Sequence, residues 1–318
     1  MAAKDFSISR LLAQAGFDEA ALARKSAPAM RAALKRTIPF LEAEPPRIET
    51  AEDVHVAGAD RPLNARVYIP YDADAAGAGL VFFHGGGYVT GDIETHDPLC
   101  RRLAAVSGVR VVQVEYRLAP EHKFPAAAED ALAAFDTVHA GRLSAYGFKP
   151  DRLAVGGDSA GGGLAAMIAQ ARRRSVAFQL LLYPLLQLVE VKTAKPRWQD
   201  GPLLSAEMLR GIRKTYLKDP DRQARDVRVS PLFADDLSGL APAFILAAEL
   251  DPLLDEGQVY ADRLAAYGVP VRRELIEGAP HGFANMSKAS KAAIPAIETA
   301  AKALAEGLAK PRATPAET

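Results

Sequence analysis

The sequence has very little cysteine, no net charge and no long apolar run. Cys100 is the only cysteine in 318 residues, which excludes an internal disulfide and any metal site built from several cysteines. Lysine plus arginine equals aspartate plus glutamate at 39 each, so no overall field attracts nucleic acid or an anionic membrane. The longest apolar run, Phe178 to Val189, is too short to span a bilayer and is interrupted by Pro184. We therefore expect neither a nucleic-acid partner nor a membrane partner.

The beginning of the chain and its composition predict where the protein works. The first ten residues, MAAKDFSISR, place Lys4 and Asp5 where a signal peptide would need its apolar centre. This predicts a protein without a secretion signal, located in the cytoplasm. With 49% apolar and 25% charged residues, the composition is typical of a globular chain that buries a large core.

From about Val54 onward, short apolar runs alternate with segments of helical periodicity. This alternation predicts an α/β fold, with a parallel sheet and crossover helices. Two short runs, VHVAG and NARVYIP, are separated by a turn that contains ADRP, and they predict a leading antiparallel hairpin. Six further strands are predicted, at residues 79–84, 110–116, 152–157, 178–184, 241–250 and 270–278. The alanine-rich segment 287–309 predicts a last helix against the sheet.

Two segments interrupt the alternation. Residues 1–45 have the pattern of two short helices without a strand, and residues 188–237 form a long, charged, partly helical insertion. Insertions of that length in a compact domain are usually functional lids. We therefore predict a helical cap formed by 1–45 and 188–237, a catalytic domain formed by 46–187 and 238–310, and a disordered tail at 311–318.

The glycine-rich stretch around Ser159 allows two interpretations. Gly161, Gly163 and Ala166 match the G-x-G-x-x-A dinucleotide pattern, but the match begins four residues after the predicted strand ends, and no Gly-Lys-Ser/Thr of a phosphate loop follows. The alternative is a nucleophile elbow, G-x-S-x-G, in which Gly157 and Gly161 relieve crowding around a strained serine. The second interpretation accounts for every residue from Gly157 to Gly161, and we favour it.

A nucleophilic serine needs a base and an acid that orients the base. His281 is the only histidine after Ser159, and it follows the last predicted strand. The segment after the preceding strand offers four acids, of which Asp251 stands directly after the strand and is favoured over the other three. We expect two of the others to cap the next helix. The less favoured acids are Glu249, Asp255 and Glu256.

A serine hydrolase also needs donors for the oxyanion. The N–H of Ala160 is one candidate, because it follows the serine at a helix N-terminus. HGGGY, residues 84–88, follows another predicted strand, and its bare glycines let the backbone approach a substrate closely. Taken alone, this stretch is compatible with a flexible turn, but its position after a predicted buried strand, together with the elbow, favours the oxyanion role.

Five segments together, HGGGY, YRLAPEHKFPAAAED, GDSAGG, DPLLDEG and APHGF, resemble the hormone-sensitive-lipase-like family of α/β-hydrolases. The resemblance runs from about residue 78 to 284. It implies an eight-stranded, mostly parallel sheet with a helical cap. It also implies specific roles, with His84 bracing the glycine loop. The implied catalytic residues are Ser159, His281 and Asp251, and the implied oxyanion donors are Gly85, Gly86 and Ala160.

The resemblance implies a serine carboxylesterase that hydrolyses small esters of short to medium acyl chains without a metal or cofactor, as a monomer or homodimer. Four alternatives stay open at this point. The same triad serves amidases and aryl-acetamide deacetylases, and the same scaffold without catalysis serves as a small-molecule receptor. A dinucleotide-binding oxidoreductase would use the glycines, and a metal hydrolase would use Asp92, Glu94 and His96, although their spacing matches no compact metal site.

Overall fold

The computed structural model describes residues 26–189 and 203–309, and these form eight strands in one sheet. The spatial order is β1-β2-β4-β3-β5-β6-β7-β8. β2 runs antiparallel to both its neighbours, and all other pairs are parallel. The strands are β1 Thr50–Ala57, β2 Pro62–Ile69, β3 Gly79–Phe83, β4 Arg110–Val114, β5 Leu153–Asp158, β6 Phe178–Leu182, β7 Ala243–Leu250 and β8 Val271–Pro280.

Helices cover both faces of this sheet. Alternate side chains of β3 show why: Val81 and Phe83 belong to one apolar cluster, whereas Leu80 and Phe82 belong to the other. A strand buried on both faces has a continuous apolar sequence, as β3 does. The α-helices are α1 Ala27–Leu41, α2 Ile93–Ser107, α3 Ala126–His139, α4 Ala160–Ala171, α5 Ala206–Tyr216, α6 Pro220–Gln223, α7 Leu254–Ala266 and α8 Ala293–Leu308.

The predicted α/β architecture is confirmed, strand by strand. The leading hairpin is β1 and β2, and each of the six later predicted strands is present within three residues of its expected ends. The predicted last helix is α8, which starts six residues later than expected because most of residues 287–292 form turns. An aspartate begins α2 through a capping box in which Asp92 and Thr95 bond each other's backbone N–H.

The described part of the predicted cap lies against the loop that follows β3. Arg31 on α1 donates from Nε to Val89 O at 2.8 Å and from Nη2 to Ala119 O at 2.9 Å. On α5, the ring of Tyr216 stacks on Tyr88 at 4.0 Å between centroids. The predicted cap and domain boundaries stay predictions, and residues 1–25, 190–202 and the predicted tail 311–318 lie outside the described residues. Within residues 26–189 and 203–309, no helix is both long and apolar enough to cross a membrane.

Candidate active site

Ser159 occupies the turn between β5 and α4. Its backbone has φ +53° and ψ −118°, a conformation that non-glycine residues adopt at an energetic cost and that occurs mainly at functional sites. The turn is held by the Ser159 N–H, which donates to Leu182 O at 2.9 Å. Side chains at Gly157 and Gly161 would both overlap the carbonyl of Phe83 at the end of β3. The two glycines are therefore required by the close approach of the elbow to the neighbouring strand.

His281 joins the serine to a buried carboxylate. The His281 ring lies with Nε2 2.8 Å from Ser159 Oγ and Nδ1 2.7 Å from Asp251 Oδ2. A carboxylate only accepts, so Nδ1 carries the proton and Nε2 accepts from the serine hydroxyl. Asp251 is 1% exposed and its other oxygen accepts from the Leu253 N–H at 2.8 Å. The ring of Tyr183 packs edge-on against the imidazole at 5.0 Å.

The structure thus brings together the three residues that the sequence analysis placed after β5, β7 and β8. The parallel strands all end at the same edge of the sheet, so loops far apart in the chain meet there. This arrangement has the chemical parts of an activated serine: a hydroxyl, a base within hydrogen-bond reach and an acid that fixes the tautomer of the base.

Two of the remaining acids have other partners. Glu249 accepts from the Gly278 N–H at 2.9 Å. The expectation that Glu256 caps α7 is wrong: its side chain is buried and accepts from the Leu186 N–H at 3.0 Å and from Gln187 Nε2 at 2.6 Å. No side-chain cap begins α7. Tertiary packing is the reason, because the first turn of α7 lies against the segment that follows β6.

The glycine loop lies beside the elbow, but one of its predicted donors has another partner. The Gly85 N–H donates to Asp158 Oδ1 at 2.8 Å, so it is not available to an oxyanion in this conformation. Within the described residues, no acceptor is found for the N–H of Gly86 or Gly87. Both have positive φ, +107° and +62°, a region that glycine enters without strain. The prediction of Gly85 as a donor is therefore wrong for this conformation, Gly87 becomes a candidate in its place, and Gly86 and Ala160 stay predicted donors.

His84 supports this loop, as the resemblance implied. Its Nδ1 donates to Gly85 O at 2.8 Å, and its own carbonyl accepts from the Tyr116 hydroxyl at 2.8 Å. The two rings stack at 4.4 Å between centroids. Burial, together with the charge on the neighbouring His96, lowers the pKa of His84 to about 4. His84 is therefore neutral at pH 7 and acts as a scaffold.

Three side chains beneath the loop form a network that sequence reasoning only partly found. Asp158 directly precedes Ser159, and its Oδ2 accepts from Asn285 Nδ2 at 3.0 Å. His96 was considered only as a metal ligand, yet its Nε2 lies 3.3 Å from Asp158 Oδ1. Asn285 carried no signal in the sequence. Among the residues the structure describes, no three histidine, cysteine, aspartate or glutamate side chains are grouped to hold a metal ion.

Comparisons with known proteins agree with this architecture. A family profile described as alpha/beta hydrolase fold matches residues 80–285. The carboxylic ester hydrolase LipN of Mycobacterium tuberculosis is 41% identical over 242 residues, which cover 74% of this chain and 64% of LipN, just under two thirds of that relative's length. The ethyl acetate hydrolase of Pseudomonas putida is 41% identical over 231 residues, 70% of this chain and 72% of that protein.

Solved structures extend the similarity to nearly the whole chain. The structure of an ester-hydrolase from the metagenome of Lake Arreo, complexed with a derivative of bipyridine phosphonate, is 35% identical to this chain. It superposes with a TM-score of 0.89 and covers 96% of this chain and 99% of its own.

Proposed function

This chain belongs to the hormone-sensitive-lipase-like family of α/β-hydrolases, and on that premise we propose that it is a carboxylic ester hydrolase with Ser159, His281 and Asp251 as its catalytic triad. The observation that carries the proposal is the pair of hydrogen bonds, 2.8 Å and 2.7 Å, through which His281 bridges the serine and the aspartate. The relatives named above are ester hydrolases, which supports the same reaction.

The geometry supports a two-step acyl transfer. Ser159 Oγ attacks the ester carbonyl while its proton passes to His281 Nε2, and Asp251 stabilises the imidazolium that results. The same proton then goes to the departing alcohol. Water, deprotonated by His281, hydrolyses the acyl-enzyme and restores the serine. No metal or cofactor takes part in this scheme.

The carbonyl oxygen becomes negative in each step and needs aligned donors. We assign these to the N–H groups of Gly86, Gly87 and Ala160. Gly86 and Gly87 directly follow His84 and Gly85, which are held by buried hydrogen bonds. These donors therefore need little reorganisation when charge develops. Ala160 begins α4, and the positive end of that helix adds to the field.

The substrate is an ester of a short to medium acyl chain in this proposal. The support is the ethyl acetate hydrolase among the relatives, whose name specifies a small ester. Hydrolysis of 4-nitrophenyl acetate, butyrate and decanoate should fall with increasing chain length beyond butyrate. Parallel assays with 4-nitroacetanilide decide between ester and amide preference, and we expect the ester to be much faster.

The test of the triad compares two serine variants. Ser159→Ala should reduce kcat by several orders of magnitude. Ser144→Ala is the matched control, because Ser144 is exposed in a 3-10 turn near the opposite ends of the strands and should leave kcat unchanged. Equal activity of the native protein and Ser159→Ala on every ester would refute the proposal.

A further inference from the structure

A buried pair of charges lies directly beneath the proposed oxyanion loop. Asp158 and His96 are 3% and 5% exposed, and His96 Nε2 lies 3.3 Å from Asp158 Oδ1. The same carboxyl oxygen accepts the Gly85 N–H at 2.8 Å. A carboxylate buried to this degree requires a compensating charge or several donors. His96 is the only cationic side chain found within salt-bridge distance of Asp158 in the described part of the chain.

The neighbours of His96 favour a proton on each of its ring nitrogens. Its Nδ1 lies 2.9 Å from Thr95 Oγ1. That hydroxyl donates its one proton to Asp92 O at 2.9 Å and accepts from the Asp92 N–H, so it accepts from His96 and Nδ1 carries a proton. The other nitrogen faces a carboxylate oxygen, which also accepts only. Nε2 also lies 3.3 Å from the Gly85 N–H, but that hydrogen has its shorter bond, 2.8 Å, with Asp158 Oδ1. A ring protonated at both nitrogens donates to Thr95 Oγ1 and directs its second proton toward Asp158 Oδ1.

The charges around this ring agree with that assignment. Burial opposes protonation of His96, but the carboxylates of Asp158, Asp92 and Glu42 raise its pKa above the usual value. Burial likewise opposes ionisation of Asp158, and His96 with the Gly85 N–H holds the pKa of Asp158 below its usual value. The second histidine nearby, His84, lies 5.5 Å away between ring centroids and is neutral.

Asp158 connects three loops of the site. It directly precedes Ser159, its Oδ1 holds the glycine loop through Gly85, and its Oδ2 accepts from Asn285, four residues after His281. The fit at the glycine loop is tight, because a Cβ on Gly85 would lie 2.5 Å from Asp158 Oδ2. A change in the charge or position of this carboxylate would therefore move the oxyanion donors relative to the serine.

We propose that His96, as a buried imidazolium, is a positioning residue that fixes Asp158 and through it the oxyanion loop. The inference rests on the proposed function, since it specifies what keeps the donors of that reaction in place. His96 touches no reacting atom in this arrangement. Its loss should reduce transition-state stabilisation more than substrate binding, because the oxyanion donors act on charge that develops only in the transition state.

The first experiment measures the charge on His96 directly. The imidazole nitrogens of the six histidines are observed by NMR of protein labelled with ¹⁵N-histidine, between pH 6 and 9. We expect one histidine to keep both nitrogens protonated above the usual histidine value of about pH 6.5, and that signal should be absent in His96→Gln. A spectrum in which all six rings are already neutral at about pH 6.5 would overturn the proposal, even where His96→Gln fails to fold.

The second experiment separates positioning from general stability. For 4-nitrophenyl butyrate, His96→Gln should lower kcat by roughly 10- to 100-fold while KM changes less than threefold. His55→Gln is the matched control, since His55 is exposed on β1 and should change neither constant. Unchanged kcat in His96→Gln, with an active native protein, would overturn the role of His96. A native protein inactive on every ester would instead refute the proposed function, and the NMR result distinguishes the two failures.

Discussion

Replacing Gly161 by alanine tests whether the elbow depends on contact with β3. A Cβ at this position would lie 2.5 Å from the carbonyl carbon of Phe83, closer still to its oxygen, and 2.7 Å from His84 O. Ordinary contact between such atoms begins near 3.4 Å, so the elbow and the strand end must separate by about 1 Å. The obstacle is backbone on the proposed oxyanion side, and no side-chain rotation relieves it.

This displacement should reduce both activity and stability. A 1 Å misplacement of catalytic groups costs about 100-fold in rate, and overpacking a filled interior costs about 1–3 kcal/mol in the free energy of unfolding. We expect Gly161→Ala to lower kcat for 4-nitrophenyl butyrate by about that factor, and urea denaturation to show the stability loss. The assay should be run with native protein on the same day and at the same pH.

Gly211 provides the matched control for the glycine substitution. It lies inside α5, is exposed, and a Cβ there meets no atom within 4 Å. Gly211→Ala should therefore keep kcat and stabilise the protein by about 0.5–1 kcal/mol, because alanine loses less backbone entropy in a helix. If Gly161→Ala kept native kcat and native unfolding free energy, the packing argument for the elbow would be refuted.

Four further substitutions test other parts of the structure. Asp251→Asn should lower kcat by about 10⁴-fold with little change in stability, measured by ester hydrolysis, because the amide no longer fixes the tautomer of the base. Arg117→Ala should cost about 3–5 kcal/mol in urea denaturation, because it leaves the fully buried Asp130 without its bidentate partner at 2.8 and 2.9 Å. Asp221→Ala, whose side chain is 93% exposed, should cost less than about 1 kcal/mol. Burial raises the pKa of Glu42 to about 6, so the native protein retains this proton between pH 4.5 and 6 while the unfolded chain loses it. As the pH rises from 4.5 to 6, the free energy of unfolding of the native protein should therefore fall by roughly 2 kcal/mol more than that of the Glu42→Gln variant. Denaturation at each pH measures both values.

Each of these expectations has a result that contradicts it. Native kcat in Asp251→Asn would remove the aspartate from the proposed triad. Equal losses in Arg117→Ala and Asp221→Ala would show that burial of the ion pair makes no difference. Parallel stability curves of the native protein and Glu42→Gln between pH 4.5 and 6 would show that Glu42 has an ordinary pKa in the folded state.

The sequence by itself determined the fold and most of the candidate site. The apolar runs of β3 to β7 and the helical segments between them are local patterns, and local backbone preference with burial is enough to predict them. The motifs around Ser159 and His281 are also short, because an elbow and a loop after a strand are built from adjacent residues. Chain order then left His281 as the only histidine available to the serine.

Only the tertiary structure decided which groups are free and which are occupied. Gly85 looked equivalent to Gly86, yet its N–H is bound by Asp158, 73 residues away in sequence. Glu256 had the position of a helix cap and is instead buried against residues 186 and 187. No pattern in the sequence joined His96 to Asp158. The physical reason is common to all three: a buried donor or acceptor must find a partner, and packing of distant segments determines which partner lies within reach.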